Sequence, residues 1–266
     1  MGINVTPNNI PDIEYMTDRL ATLCRIPSPS GDTQDAVEWI KGQFEELGYK
    51  PVITHKGGLL VTVPGAKKGP ERALSAHVDT LGAMVFEIKS NGRLKLTLIG
   101  GSPWPSLEGE HVVIRSGDGK RYTGSILVTK AASHVWGQET EEVGHGASYG
   151  IPGTVREFIA VDMGCVGDGL LGSEYTVSIC AKGGGGPYDV QLRKRLEGLC
   201  EKNNIAYVVD IFPYYGSDAG PLLRAGHDVR CACVGTGVDA SHSHERTHKE
   251  GLLATARLVT AYVLSE

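Results

Sequence analysis

The stretch Ser75-Ala-His-Val-Asp-Thr-Leu-Gly-Ala-Met-Val85 is the part of the chain around which the rest can be interpreted. It follows the apolar pair Ala73-Leu74 and places a histidine and an aspartate where a buried strand should end. Residues i and i+2 of a strand point to the same face, so His77 and Asp79 can reach into one site. The carboxylate there can bind a metal or orient the imidazole that does. A lone His-x-Asp is common, and by itself it is more simply explained as an ordinary strand end.

The composition describes a globular protein with a substantial core. The chain has 266 residues, of which 41% are hydrophobic and 21% charged, which suits one large domain or a domain with a small insert. A net charge of -5 provides no basic excess to neutralise phosphates, which argues against nucleic-acid and acidic-membrane binding. The N-terminal residues do not resemble a signal peptide and no apolar run reaches 18 residues, so we expect a cytoplasmic protein.

The six cysteines show no spacing typical of a disulfide framework, which favours reduced thiols. Cys231-x-Cys233 could supply two metal thiolates. It lies in a strand-like run, however, and two small core residues are the better interpretation.

Hydrophobic periodicity predicts helices and strands in alternation at both ends of the chain. Apolar residues three and four apart predict helices over 11–24, from an N-cap at Asp32, from about Pro187, after Asp218, and over 249–264. The strand-like runs are Pro51–Thr54, Leu59–Val63, Arg72–His77, Phe158–Val161, Tyr175–Ala181, Ala206–Ile211 and Val229–Val234. This alternation predicts an α/β fold with a mixed, mostly parallel sheet flanked by helices.

The middle of the chain has a different pattern. Two pairs of strand-like runs flank the turn sequences Ser90-Asn-Gly92 and Gly117-Asp-Gly119, which are strong hairpin signals. We therefore predict a small β-rich insert over residues 84–137, between residues 1–83 and 138–266 of a catalytic α/β domain.

Four polar clusters lie beside predicted strand ends, where open α/β sheets carry their sites. They are His77 with Asp79, the run Glu139–Glu142, Asp162, and the histidine-rich loop 242–248. Imidazole and carboxylate together suit zinc or cobalt, and of two adjacent glutamates one can bind metal while the other takes a proton from water. Each cluster alone is better explained as a solvated or turn-forming segment, but together they favour a metal site.

The same segments resemble the M42 metallopeptidases, a family of glutamyl and deblocking aminopeptidases that form large oligomers. Similar motifs are Ile26–Gly31, Ala76–Gly82, Glu141–Ala147, Val161-Asp162, Ser217–Ala219 and the loop at His242. The loop from Asp239 to His248 is especially similar to a subgroup found beside genes for making a dipeptide-type osmoprotectant. The resemblance implies a zinc-aminopeptidase or phosphorylase/hydrolase-like fold, with the β-rich insert as a truncated remnant of a dimerisation or lid domain.

The resemblance also implies two divalent metal ions, zinc or cobalt, and a role for particular residues. The implied metal ligands are His77, Asp162, Glu142 and His242. Glu141 would be the general base, and Asp79 would orient His77 from behind. His248 and Asp218 are weaker candidates for binding metal or substrate. The implied partners are peptide substrates and further copies of the same chain, with neither nucleic acid nor membrane.

One feature of the family is missing from this sequence. Members have an aspartate that bridges both metals, located between the insert and the double glutamate, whereas here residues 130–142 connect the two directly. A shared carboxylate offsets the repulsion between two close cations. Without it, the sequence predicts one tightly held metal, a weak second metal and impaired hydrolysis, unless Glu139 or His134 replaces the bridge.

Three functions remain open at this point. The first is a metal-dependent aminopeptidase in which Glu141 activates water. The second is a catalytically impaired relative that forms oligomers or binds peptides. The third is a related amide hydrolase, such as a deacylase or carboxypeptidase.

Overall fold

The computed structural model describes residues 11–65, 71–127 and 152–265. In these ranges the helices are α1 (Ile13–Leu23), α2 (Gln34–Glu46), α3 (Trp104–Leu107), α4 (Val190–Lys202), α5 (Ala219–Arg224) and α6 (Lys249–Leu264). The strands of the first half are β1 (Val52–Ile53), β2 (Leu59–Leu60), β3 (Glu71–Ser75), β4 (Gly82–Ile88), β5 (Leu94–Ile99), β6 (His111–Arg115) and β7 (Arg121–Ser125). The strands of the second half are β8 (Val155–Cys165), β9 (Val177–Gly183), β10 (Gly186–Pro187), β11 (Tyr207–Ile211) and β12 (Arg230–Val238).

A mixed six-stranded sheet organises the larger part of the described chain. Its order is β3-β8-β12-β9, and both β10 and β11 pair with β9. Strands β3, β8 and β12 are parallel to one another, β9 is antiparallel to β12, and β11 is parallel to β9. The mixed, mostly parallel sheet expected from the sequence is therefore confirmed.

Both faces of the sheet are covered, which explains the nearly continuous apolar runs of β8 and β12. On one face, Ile159 packs in a buried cluster with Leu196 of α4 and Leu258 of α6. On the other face, Phe158 packs in a second cluster with Leu222 of α5. Neighbouring residues of β8 thus enter different cores, because successive side chains of a strand point to opposite faces.

The cysteines of β12 are core residues, as the strand-like context indicated. Cys231 and Cys233 are both buried in the cluster beneath α5. Burial raises the pKa of the Cys231 thiol to about 11. A thiol with this pKa stays protonated near neutral pH and does not offer a thiolate to a metal.

The helix limits follow the sequence signals with two corrections. The helix predicted from about Pro187 begins at Val190, because Pro187 belongs to β10 and Asp189 is the N-cap. Asp12 caps α1 by accepting hydrogen bonds from the backbone amides of Glu14 and Tyr15 at 3.0 and 3.1 Å. The predicted N-cap of α2, Asp32, is wrong by one residue: its amide closes a turn on the Pro29 carbonyl, and Thr33 is the N-cap. Within the described residues, none of the helices combines the length and the apolar character needed to cross a membrane.

The described residues divide into two compact units. Residues 11–65, 71–79, 152–241 and 245–265 form the first, and residues 80–127 with 242–244 form the second. In the second unit, β4 pairs with β5 and β6 with β7 as the two predicted hairpins, and Gly92 and Gly119 adopt positive φ angles in their turns. The second boundary predicted for the insert lies outside the described residues, so its limits stay a prediction.

A glycine on β12 permits the close approach of β8 beside Asp162. A Cβ atom on Gly235 would overlap the carbonyl group of Asp162 and lie 2.6 Å from Met163 Cα. We expect Gly235→Ala to lower the free energy of unfolding by about 1–3 kcal/mol, because backbone atoms cannot move aside as a side chain can. Denaturant unfolding measures this change.

The matched control is Gly198→Ala on α4, where an added Cβ atom has no neighbour within 4 Å. It should raise stability by up to about 1 kcal/mol through helix propensity. A Gly235→Ala protein as stable as the unmodified chain would contradict the described spacing of β8 and β12.

Candidate functional site

The register of β3 on β8 brings His77 and Asp162 together. The two strands are parallel, with Ser75 of β3 opposite Ala160 of β8. His77 and Asp162 each follow two residues later, so they lie opposite one another as well. His77 Nε2 lies 3.9 Å from Asp162 Oδ1. The imidazole is about half exposed, whereas the carboxylate is only 14% exposed. A nitrogen and an oxygen donor therefore meet at the ends of two neighbouring strands.

Asp79 holds the other side of the imidazole. His77 Nδ1 lies 3.2 Å from Asp79 Oδ1 and 3.0 Å from the Asp79 backbone carbonyl. A proton on Nδ1 leaves Nε2, the nitrogen that faces Asp162, with its lone pair available. This is the arrangement that orients metal-binding histidines in proteins.

Two serines of the loop before α2 fix the position of Asp79. Ser30 Oγ donates a hydrogen bond to Asp79 Oδ2. Ser28, which is buried, donates from Oγ to the carbonyl of Val78 at 2.8 Å. The loop 26–31 therefore holds the segment 77–79 through two hydrogen bonds, one to the side chain of Asp79 and one to the backbone carbonyl of Val78.

Asp162 is a largely buried carboxylate with a second carboxylate nearby. Burial is the main cause that raises its pKa, and the charge of Asp218 raises it further. The hydroxyl of Tyr215 beside it and the charge of His77 act in the opposite direction. Asp218 itself accepts a hydrogen bond from Ser75 Oγ at 2.7 Å. The site therefore concentrates negative charge where water is largely excluded, which favours a cation.

Without a metal, protonated His77 supplies the positive charge that the carboxylates of Asp162 and Asp218 favour. The hydrogen bond to Asp79 raises the pKa of His77 to about 9, although burial acts against it and Asp162 contributes in the same direction as Asp79. The same partnership lowers the pKa of Asp79 to about 2. Metal binding to Nε2 would therefore have to displace a firmly held proton.

The geometry of the pair fits a divalent cation. Zinc binds nitrogen and oxygen ligands at about 2.0–2.2 Å, so two ligands of one ion lie at most about 4 Å apart. The 3.9 Å between His77 Nε2 and Asp162 Oδ1 falls within this limit. Among the described residues no group of three metal-binding side chains comes together.

The remaining predicted site residues have different settings. Glu141 and Glu142 lie outside the described residues. His242 belongs to the second unit, where its Nδ1 lies 3.2 Å from the Gly101 carbonyl, and it adopts a positive φ angle. His248 is the N-cap of α6, where its Nδ1 accepts a hydrogen bond from the backbone amide of Glu250. The centre of its ring lies 4.5 Å from the centre of the Tyr175 ring.

Three polar residues around the site were missed by the sequence analysis. Ser30 and Ser75 each donate a hydrogen bond to an aspartate of the cluster, and Tyr215 lies beside Asp162. Ser30 belongs to the motif 26–31, but a serine in a turn-forming segment carries no sign of its distant partner. Ser75 and Tyr215 offered no signal of their own.

Comparisons with known proteins point to one family. The M42 glutamyl aminopeptidase family model matches residues 57–140 and 131–258. YhfE of Bacillus subtilis strain 168, described provisionally as an aminopeptidase, is 37% identical over 330 positions, covering 91% of this chain and 95% of the relative. A glutamyl aminopeptidase of Lactococcus lactis is 29% identical over 105 residues, which cover 39% of this chain and 30% of that protein.

Solved structures support the fold. The aminopeptidase APDkam598 from Desulfurococcus kamchatkensis matches with a TM-score of 0.80 at 18% identity, over 94% of this chain and 95% of that one. The TET1 peptidase of Pyrococcus horikoshii matches with a TM-score of 0.75 at 16% identity, over 93% of this chain and 99% of that one. That peptidase can assemble into a tetrahedron or a large octahedral shell. At these identities the matches show a shared fold.

The comparison with YhfE also locates a difference in length. An alignment of 330 positions is longer than this 266-residue chain, so at least 64 positions of it have no counterpart here. The family model matches in two parts, which overlap at residues 131–140. The bridging aspartate expected from the family resemblance would lie in this segment.

The His77–Asp79 pair predicts a pH dependence of stability in the chelator-treated protein. The folded pKa of His77, about 9, lies above the ordinary value of 6.5, so the stabilisation is complete below pH 6.5 and is lost as the pH rises through 9. Because the imidazole is half exposed, we expect a loss of about 1 kcal/mol. Urea unfolding between pH 6 and 9.5 measures it.

The Asp79→Asn variant should flatten this dependence, since an amide does not hold the proton on His77. Asp118→Asn, which removes an exposed carboxylate paired with Lys120 in the second unit, is the matched control and should leave the slope unchanged. Equal slopes for Asp79→Asn and the unmodified chain would contradict the described pair.

Proposed function

Because the chain belongs to the M42 glutamyl aminopeptidase family, a family of hydrolases that act on peptide bonds, we propose that it removes N-terminal residues from peptides with the help of divalent cations. The observation that carries this proposal is the approach of His77 Nε2 to Asp162 Oδ1, with Asp79 behind the imidazole. A divalent cation supplies Lewis acidity, which polarises the peptide carbonyl and makes water a better nucleophile.

His77 and Asp162 would hold the first cation, zinc or cobalt. Asp79 keeps the proton of His77 on Nδ1, and Ser30 keeps Asp79 in place through the opposite carboxylate oxygen. The low exposure of Asp162 excludes water from one side of the pair. The chain's own contribution at this position is therefore a rigid, negatively charged cradle.

Glu141 would take a proton from the attacking water and return it to the amine that leaves. Its neighbour Glu142 would bind the second cation together with His242. Adjacent residues suit these two tasks, because one carboxylate must stay free of metal to accept the proton. The motif 141–147 that carries the resemblance to the family supports these roles.

The substrate would be a peptide with a free amino terminus, since a cation and nearby carboxylates together recognise an α-amine and the carbonyl next to it. We also propose that the chain forms a homo-oligomer in solution. The assembly described for the TET1 peptidase of Pyrococcus horikoshii supports this proposal.

The shortfall against YhfE favours a second candidate, a relative with impaired catalysis. If the positions without a counterpart include the bridging aspartate, the two cations lack the shared carboxylate that reduces their repulsion. Such a chain would bind one cation firmly at His77 and Asp162 and would bind peptides better than it hydrolyses them.

Glu141→Gln tests the general base. We expect kcat on peptides with free N-termini to fall by about 10²–10⁴-fold, with the metal content unchanged, because glutamine cannot accept the proton. Initial rates on peptide p-nitroanilides, together with elemental analysis of the same preparation, measure both quantities.

Glu46→Gln, which alters an exposed glutamate of α2, is the control and should leave both quantities unaltered. Peptides with acetylated N-termini separate the aminopeptidase from a deacylase or carboxypeptidase. Hydrolysis that persists in excess chelator, or a fully active Glu141→Gln protein, would overturn the proposed mechanism.

Metal stoichiometry distinguishes the two candidate functions. After loading with zinc and desalting, we expect one tightly held ion per chain, and a His77→Ala variant should lose it, because only Asp162 remains of the pair. Two retained ions would show that another carboxylate replaces the missing bridge and would favour full activity. One ion without measurable turnover would favour the impaired relative.

A further inference from the structure

A cavity of about 490 Å³ lies at the end of the sheet where β3, β8 and β12 begin, within the first unit. Glu157 on its wall and Asp162 of the candidate site are five residues apart on β8, or about 16 Å along an extended strand. The cavity is therefore separate from the site described above. Its volume falls in the range of small-molecule sites in proteins.

The strand register places three charged residues of the cavity wall in one row. Glu157 of β8 pairs with Arg72 of β3 on one side and with Arg230 of β12 on the other. Residues paired across a sheet point to the same face, so one glutamate lies between two arginines. Arg195 of α4 approaches the same glutamate.

Glu157 already contacts three other side chains. Arg195 Nη1 donates to both carboxylate oxygens at 3.0 and 2.9 Å, Arg72 Nε lies 3.8 Å from one of them, and the Tyr262 hydroxyl donates at 2.8 Å. The guanidinium groups of Arg72 and Arg195 each lie 5.1 Å from the centre of the Tyr262 ring. This wall of the cavity is thus fixed before any ligand arrives.

Arg230 is the arginine of the row that lacks a partner. Its exposed side chain has no hydrogen bond or ion pair with any described residue, although it lines the cavity. The other charged residues on the wall are Arg156, which donates to the carbonyls of residues 153 and 155, Glu71, which accepts from Thr154, and Asp228. Four arginines therefore face three carboxylates around this space.

We propose that this cavity binds a small oxyanion, carrying a phosphate or a carboxylate group, with Arg230 as its principal charged contact. Arginine presents a planar pair of donors that matches both groups. Glu157 is paired with Arg195 and Tyr262 and makes no ion pair with Arg230, so an anion from solution would supply the negative charge that Arg230 lacks. The simpler alternative is a purely structural network in which Arg72 and Arg195 secure the end of α6 through the carbonyl and hydroxyl of Ser265.

Calorimetric titration of the full chain with sodium phosphate, pyrophosphate and citrate, at constant ionic strength, tests the proposal. We expect saturable binding of at least one of these anions with one site per chain. Arg230→Gln should weaken it by about tenfold or more, and Arg230→Lys by less, because lysine keeps the charge but loses the planar pair of donors. Tighter binding of phosphate and pyrophosphate would identify a phosphate ligand, and tighter binding of citrate would identify a carboxylate ligand.

The matched control is Arg93→Gln, which removes an exposed arginine beside the β4–β5 turn and should leave binding unchanged. Arg230 is exposed on the first residue of its strand, and thermal unfolding checks that its variants remain folded. Absence of saturable binding in the unmodified chain at anion concentrations on the order of 10 mM would overturn the proposal. Equal weakening by Arg93→Gln would overturn it as well, since it would reveal only non-specific attraction to charge.

Discussion

The buried carboxylate of Asp162 is the constraint on which the candidate site depends. An ionised group held in a largely dry position, near a second carboxylate at Asp218, requires a positive charge close by. His77 is placed to meet this requirement in two ways. Its protonated ring supplies the charge directly, or its neutral Nε2 joins Asp162 in binding a cation. At the proposed site, protons and metal would therefore compete for the same nitrogen, which would make metal affinity sensitive to pH.

Most of the fold could be predicted because periodicity reports burial directly. Both ends of α6 were predicted, since its buried residues recur on one face from Gly251 to Tyr262. β8 runs from Val155 to Cys165, well beyond the predicted Phe158–Val161, because Asp162 interrupts the apolar run without interrupting the strand. The antiparallel placement of β9 beside β12 could not be predicted, because it depends on pairing between distant segments.

The candidate site was predictable where chemistry and strand ends coincide. His77, Asp79 and Asp162 carry metal-binding groups and follow apolar runs, and the structure brings them together. The supporting hydroxyls of Ser30 and Ser75 could not be found in this way, since their aspartate partners are distant in sequence. His248 shows the opposite case: its metal-binding chemistry suited a ligand, and the structure uses it as a helix cap.

The central position of β8 connects the two charged ends of the sheet. The same register that sets Ser75 opposite Ala160 also sets Arg72 opposite Glu157, and β12 continues that row to Arg230. A slip of one residue between β3 and β8 would turn His77 away from Asp162 and Arg72 away from Glu157 together. The ion pairs at the beginning of the strands therefore help to specify the register on which the cluster at their far end depends. Charge at one end of the sheet thus contributes to geometry at the other without direct contact.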